Sequence, residues 1–242
     1  MPVNDRPDGS SVTTCPGLFI LGDSISIDYG PFLERMLAGR FSCDRKGSEL
    51  LADESPGQKP ARQNILQRLA TLDRQSPALN GGDSNAVLAY LQARSAYQLP
   101  DRPFLLLNCG LHDLRLDSQT RAYQVEPEDY SSNLEEILRL ASTIGRRVIW
   151  VRTTPVADTR HQRLNPGFQR FNADVIAYNN IADAQMNKAG IPSVDLYNFT
   201  LGLCETPEGL KDFYIDHVHF TEEIRRLQAA YITGWLDAQK YA

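Results

Sequence analysis

The residue types that could carry out chemistry stand at the two ends of this chain. Ser24 lies in a Gly-Asp-Ser turn after a short apolar run, and Asp216 stands three residues before His219. A serine hydroxyl attacks a carbonyl only when an imidazole takes its proton and a carboxylate fixes the tautomer of that imidazole. Ser24, Asp216 and His219 therefore form a candidate triad for acyl transfer, provided that the fold brings the two ends together.

Two glycine-containing stretches could supply the hydrogen bonds that stabilise an oxyanion. Gly110 to Asp113 follow a strongly apolar run, and Gly82 lies in a turn just before a predicted helix. Backbone N–H groups at a glycine turn or at the start of a helix are natural oxyanion donors. Each stretch alone is equally typical of an ordinary loop. Four such motifs in order, at strand ends or helix starts, favour a single active site.

His217 and His219 allow a second interpretation. Two histidines two residues apart on an extended segment share a face and could bind a metal ion. No cluster of carboxylates accompanies them in the sequence, so we expect neither a metal nor a cofactor. Sensitivity to chelators would separate a metal hydrolase from a serine hydrolase.

The elements that must position these residues alternate between apolar runs and helical patterns. The apolar runs predict strands at residues 18–21, 41–43, 103–107, 148–151 and 191–196. The helical patterns predict helices at residues 29–39, 61–74, 83–97, 127–144 and 168–189, and a last one capped by Thr221. Apolar strands separated by helices indicate a parallel sheet covered on both faces. The carboxyl ends of such strands line the ligand crevice, which places Ser24 and Gly110 on one rim.

Composition and charge narrow the class of protein. The 242 residues are 42% hydrophobic and carry a net charge of -5, with no basic stripe that would favour nucleic acid as a partner. We expect a loose leader at 1–16 and a single domain at 17–242, with a functional rim at the long polar stretch 45–80.

No apolar run approaches the ~18 residues of a transmembrane helix. No signal-peptide pattern is present and the four cysteines are scattered, so a cytoplasmic location is expected, and the oligomeric state stays open.

Taken together, the four motifs resemble those of the SGNH hydrolases, also called the GDSL family, over about residues 17–238. Their blocks fall on Ser24, on Gly82, on Gly110 to Asp113, and on Asp216 with His219. The resemblance implies an α/β fold, a flavodoxin-like three-layer sandwich with a five-stranded parallel sheet in the order 2-1-3-4-5. It also implies ester hydrolysis without a cofactor.

One position departs from the family pattern, because the oxyanion asparagine of the family is His112 here. A bacterial subset with a Gly-Leu-His-Asp block is similar to this chain at that point, which favours a variant oxyanion hole. The resemblance then implies an oxyanion hole formed by the N–H groups of Ser24 and Gly82 and by the ring of His112. That His112, and not His219, is the base remains an alternative.

The sequence thus predicts a serine esterase that hydrolyses a small acyl ester through an acyl-enzyme on Ser24. We favour an O-acetyl group on a carbohydrate or another polyol, because no long apolar stretch resembles an acyl-chain tunnel. The substrate would be a small molecule or a glycan ester. The alternatives are a lysophospholipase or thioesterase of the same fold, and a non-catalytic binding protein that retains the fold.

Overall fold

The computed structural model describes residues 15–47, 79–95, 103–144, 146–165, 167–204, 207–239 and 241. Outside these ranges lie residues 1–14 of the predicted leader, the predicted helix at 61–74 and most of the polar stretch 45–80. The extent of the domain, 17–242, stays a prediction.

In the part of the chain that the structure describes, seven short strands form two sheets. They are β1 (Gly17–Leu21), β2 (Ser42–Arg45), β3 (Phe104–Leu107), β4 (Leu116–Asp117), β5 (Arg147–Val151), β6 (Phe168–Gln169) and β7 (Ser193–Val194). The main sheet is parallel and has the order β2-β1-β3-β5-β7. Counted within this sheet alone, the order is 2-1-3-4-5, as predicted. β4 and β6 pair antiparallel in a separate two-stranded sheet that the sequence did not predict.

Seven α-helices are present in the described ranges. They are α1 (Ser24–Met36), α2 (Ser84–Ser95), α3 (Pro127–Thr143), α4 (Asp158–Leu164), α5 (Asn172–Ala189), α6 (Leu196–Gly202) and α7 (Glu222–Ala238), and a 3₁₀ helix spans Pro207–Phe213. None of these helices has the length and apolar character needed to cross a lipid bilayer.

The strands and helices with the clearest sequence patterns are those whose apolar residues are buried as the patterns predict. β1 and β3 are buried at every position, as expected for strands covered on both faces. α3 buries the predicted face, which consists of Tyr130, Leu134, Ile137, Leu138 and Ala141. Gly190 ends α5 at φ +67°, in the left-handed conformation that glycine adopts without strain.

The two helices that follow Ser24 and His219 in the chain pack against each other. α1 begins at the end of β1, and α7 begins just after the Asp216–His219 loop. An ion pair between Arg225 of α7 and Asp28 of α1, at 3.0 Å, joins them near their first turns. This packing returns the C-terminal part of the chain to the first strand, as the candidate triad requires.

Several predicted boundaries were wrong, each for a local reason. α1 begins at Ser24 and not at residue 29, because the Asp23 carboxylate caps it by accepting the Ile25 N–H at 2.9 Å. The helix predicted from residue 168 begins at Asn172, since β6 pairs with β4 just before it. The strand predicted at 191–196 is shorter, because Asp195 caps α6 through the Asn198 N–H.

Candidate active site

The turn that carries Ser24 is fixed by backbone contacts on both sides. Ser24 is the first residue of α1, directly after β1, and no residue in the described ranges accepts its N–H. Asp23 is buried, and this burial raises its pKa to about 6 although it accepts the Ile25 N–H. The Gly22 carbonyl accepts the Gly81 N–H at 2.7 Å. The hydroxyl of Ser24 therefore lies at the start of a helix, next to the N–H of the same residue, which can donate a hydrogen bond.

The Asp216–His219 loop is folded by the Asp216 carboxylate itself. Its Oδ1 accepts the N–H groups of Val218 and His219, each at 2.8 Å, while its Oδ2 lies 2.6 Å from His219 Nδ1. Partial burial would raise the pKa of Asp216, but the hydrogen bonds from His219 and Val218 lower it to about 2. Asp216 is thus an ionised carboxylate that holds His219 with Nδ1 protonated.

The structure joins the three predicted residues into one relay. His219 Nε2 lies 2.9 Å from Ser24 Oγ, and its Nδ1 lies 2.6 Å from Asp216 Oδ2. With Nδ1 protonated, Nε2 is the acceptor and can take the proton of the serine hydroxyl. Both ring nitrogens of His219 are therefore engaged, which leaves none for a metal ion.

The second histidine of the metal interpretation, His217, points elsewhere. Its Nδ1 lies 3.1 Å from Nδ1 of His161, a residue of α4. His217 and His219 thus do not present a shared pair of ligands, contrary to what their spacing suggested. Within the ranges that the structure covers, no three His, Cys, Asp or Glu side chains are grouped as metal ligands would be.

α4 supplies supports for the triad loop that sequence reasoning missed. Arg160 Nε donates to the Asp216 carbonyl at 2.6 Å, and His161, which is fully buried, contacts the His217 carbonyl at 3.3 Å. These partners are 56 residues apart in sequence. The segment contains no motif or apolar stripe, so no local signal could have identified them.

The Gly110–Asp113 turn is anchored by two hydrogen bonds and depends on a glycine at its start. The Asp113 carboxylate accepts the Ser84 N–H at 2.8 Å and so ties this turn to the start of α2. Arg170 Nε donates to the Leu111 carbonyl at 2.6 Å. Gly110 has φ +138°, and a Cβ there would lie 2.6 Å from Thr153 Oγ1, so only glycine fits.

His112 is held in this turn as a neutral imidazole. Burial, followed by the charges of Arg115, Arg170 and His219, lowers its pKa to about 2. A neutral ring carries one N–H donor, and no residue in the described part of the chain hydrogen-bonds to the ring. His112 can therefore donate to a charge that develops in the site, at neutral and at mildly acidic pH.

The N–H of Gly82, a predicted oxyanion donor, already has a hydrogen-bond partner within the protein. Its N–H donates to Asn80 Oδ1 at 2.9 Å, and its φ of +76° belongs to the left-handed region. The next residue, Asp83, caps α2 as predicted, since its carboxylate accepts the Ala86 N–H at 2.9 Å. Gly82 can reach an oxyanion only when its bond to Asn80 opens or is shared.

Several solved structures with a similar fold are named as ester hydrolases. The chain superposes on a lipase/acylhydrolase from Enterococcus faecalis (16% identity, 93% of this chain and 96% of that one, TM-score 0.58). It also superposes on an acetyl xylan esterase (12%, 91% and 99%, TM-score 0.61) and on the aryl esterase of M. smegmatis (14%, 93% and 99%, TM-score 0.57). At these identities the likeness concerns the fold alone. No curated protein sequence matches the chain.

A family model extends the likeness to the sequence. The GDSL-like lipase/acylhydrolase model matches residues 18–232, a span that runs from β1 into α7 and contains every motif described above. The chain therefore belongs to the GDSL-like lipase/acylhydrolase family and is a carboxylic ester hydrolase.

Proposed function

We propose that this protein is a serine esterase in which Ser24 is the nucleophile, His219 the general base and Asp216 the residue that orients the base. The observation that carries the proposal is the continuous relay from Ser24 Oγ through His219 to Asp216, with spacings of 2.9 and 2.6 Å. The chain order and the helix start beneath Ser24 support the same roles.

The reaction proceeds in two acyl transfers. His219 Nε2 takes the Ser24 proton as Oγ bonds to the ester carbonyl carbon, and the carbonyl oxygen becomes an oxyanion. When the oxyanion collapses, the C–O bond to the alcohol breaks, His219 gives its proton to the alcohol, and the acyl group stays on Ser24. His219 then takes a proton from water, the hydroxyl adds to the acyl carbon, and the acid leaves as the proton returns to Ser24.

In this proposal the oxyanion meets three donors. The Ser24 N–H is available in the structure, and the neutral ring of His112 offers a second N–H from a water-poor setting, where such a donor is most effective. The Gly82 N–H is the third, and it must exchange Asn80 Oδ1 for the oxyanion. Asp23 and Asp113 have supporting roles, because their carboxylates hold backbone N–H groups of the two turns.

For the substrate we propose a small acyl ester, an O-acetyl group on a carbohydrate or another polyol. The similarity in fold to an acetyl xylan esterase and to an aryl esterase supports a small acyl group. Acetylated sugars and 4-nitrophenyl esters of increasing chain length test it. We expect the acetyl esters to give the highest kcat/KM, whereas a rise with chain length, or a preference for thioesters, would favour a lysophospholipase or a thioesterase.

Labelling with a fluorophosphonate tests the catalytic proposal directly. The probe should form one adduct, located on Ser24 by peptide mass spectrometry, and Ser24→Ala should abolish both the adduct and ester hydrolysis, a loss of ~10⁴ or more in kcat. Ser26→Ala is the matched control, because that hydroxyl is in the same helical turn and donates to the Asp23 carbonyl at 2.7 Å. An unlabelled, folded wild-type protein would contradict the role of Ser24 as the nucleophile.

A further inference from the structure

Beside the triad, four cationic or imidazole side chains surround one phenyl ring. The Arg115 and Arg170 guanidinium carbons lie 4.8 and 4.9 Å from the centre of the Phe168 ring. The ring centres of His161 and His217 lie 5.7 and 6.3 Å from it. We name these five residues the Phe168 cluster. It contains no carboxylate, so its charge is one-sided.

Both guanidinium groups of this cluster carry a buried nitrogen that lacks a partner. Arg115 Nε and Arg170 Nη1 have no hydrogen-bond partner among the residues that the structure describes. The Arg115 guanidinium forms neither a hydrogen bond nor an ion pair with any residue that the structure describes. Arg170 is only 2% exposed, and this burial, together with the charge of Arg115, lowers its pKa to about 9. Buried charges are costly unless paired, so the arrangement calls for a counterion.

The nearest carboxylates are already committed to other partners. Asp23 and Asp216 lie within electrostatic range of Arg170, and Asp83 and Asp113 lie within that of Arg115. None of the four forms an ion pair with these guanidinium groups. Asp23 accepts the Ile25 N–H, and both oxygens of Asp216 hold the triad loop. The two guanidinium groups thus have carboxylates within electrostatic range but no ion-pair partner among the described residues.

The cluster borders the site where an ester would bind. The His217 ring centre lies 6.3 Å from that of His219, and Arg170 holds Leu111, the neighbour of His112. Arg115 and His217 are partly exposed, whereas Arg170 and His161 are buried. Arg115 and His217 are therefore the members of the cluster that retain surface for a ligand to contact.

We propose that the Phe168 cluster is a subsite for an anionic group of the substrate, a carboxylate carried by the acyl or the alcohol part of the ester. A guanidinium with free donors binds a carboxylate in a bidentate manner, and a polar crevice wall of this kind favours an acidic substrate over its neutral analogue. The inference rests on the proposed esterase function, and it narrows the polyol to an acidic one, such as an acetylated acidic sugar.

Paired substrates test the subsite. One arm compares 4-acetoxybenzoate with 4-acetoxybenzamide, which places the charge on the alcohol side. The other compares the monomethyl ester of glutaric acid with its primary amide, which places it on the acyl side. In one arm the wild-type should prefer the anion, and Arg115→Gln should lower the ratio of kcat/KM for the anion to kcat/KM for its neutral analogue about 10- to 100-fold. Because each ratio compares the same two esters, comparing it between the wild-type and a variant cancels the difference in intrinsic reactivity of the esters.

Arg35→Gln is the matched control, because Arg35 also stacks on a phenyl ring, that of Phe32, at 4.9 Å on the exposed end of α1. It should leave both ratios unchanged. Equal loss on charged and neutral esters in Arg115→Gln would overturn the proposal, since the cluster would then act on the transition state of any ester. Unaltered ratios in both arms would overturn it as well.

A binding measurement separates failure of the subsite from failure of the esterase proposal. Calorimetric titration of the wild-type protein with benzoate and with benzamide requires no turnover. Benzoate binding that Arg115→Gln weakens supports the subsite even if no ester is hydrolysed. Ester hydrolysis without selective benzoate binding overturns the subsite and leaves the esterase proposal intact.

Discussion

His219 and His112 are two imidazoles of one site that are held in opposite ways. Both ring nitrogens of His219 have partners, at 2.6 and 2.9 Å, on Asp216 and Ser24. The His112 ring has none within the described ranges, and burial keeps it neutral by lowering its pKa to about 2. The difference fits the two proposed roles, because a base must gain a proton during the reaction whereas a donor to an oxyanion must keep the one it has.

The largest effect should come from breaking the support of His219. Asp216→Asn replaces the carboxylate by an amide, which favours the wrong tautomer and cannot stabilise the imidazolium. We expect kcat on 4-nitrophenyl acetate to fall by ~10⁴ while the fold persists. Circular dichroism checks the fold, and a loss below tenfold in the folded variant would contradict the role of Asp216.

Removing His112 should have a smaller effect of a different kind. His112→Ala should lower kcat by about 10²–10³ with little change in KM, because the donor acts on the transition state. His112→Asn should recover part of that loss, since it restores an amide donor.

Three outcomes discriminate between the interpretations of His112. If both substitutions only lower stability, with unchanged turnover per folded molecule, His112 merely packs in its turn. If His219→Ala retains substantial activity and His112→Asn is inactive, then His112 is the base. Loss in His112→Ala with partial recovery in His112→Asn supports the donor role.

Asp113, which supports the turn that carries His112, should make the stability of the protein depend on pH. Burial raises the pKa of Asp113 to about 7 from its ordinary value of 3.8, so the folded state favours the protonated carboxyl. The stability that this group contributes is fully present below about pH 4 and is lost as the pH rises through about 7.

Asp113→Asn isolates this contribution, because its amide oxygen can still accept the Ser84 N–H. Between pH 4 and pH 8, the free energy of unfolding of the wild-type should fall by roughly 1–4 kcal/mol more than that of the variant. Urea unfolding at the two pH values measures it. Parallel pH profiles would show that Asp113 does not titrate in this range.

The smallest effect should come from the outer support of the triad loop. Arg160→Met removes the hydrogen bond to the Asp216 carbonyl but keeps most of the side-chain volume. We expect kcat to fall about threefold to tenfold, the value of one such bond. Arg163→Met, on the exposed side of the same helix, should leave kcat unchanged. An equal effect in both variants would mean that α4 acts only through stability.

The elements that could be predicted from the sequence are those in which burial leaves a local pattern. Phe104–Leu107 is apolar throughout and α3 shows a helical apolar face, so both were predicted nearly to the residue. α4 and the β4–β6 pair leave no such pattern: α4 has no apolar stripe, and each strand has two residues and exists through its partner. The start of α1 was missed because alternating Ser and Ile residues, with Gly30 and Pro31 after them, do not resemble a helix.

The same distinction holds for the site. Ser24, Asp216 and His219 could be predicted because each lies in a short motif whose residue types suit one reaction. Arg160 and Arg170 could not, since their partners are 56 and 59 residues away and only the folded chain brings them together. Sequence motifs thus identify the candidates for the reacting groups, and the structure is needed to find the groups that hold them.

The distance along the chain between Ser24 and His219 has a consequence for the time at which this protein can first act. The two residues are 195 positions apart, and α7 must pack on α1 to bring them together. A ribosome adds ~5–20 residues per second, so His219 is made roughly 10–40 s after Ser24. On the proposed mechanism, the nascent chain carries during that interval a serine without its base. Hydrolysis can then begin only after α7 has been synthesised and has docked, so no activity is expected before translation of this region is complete.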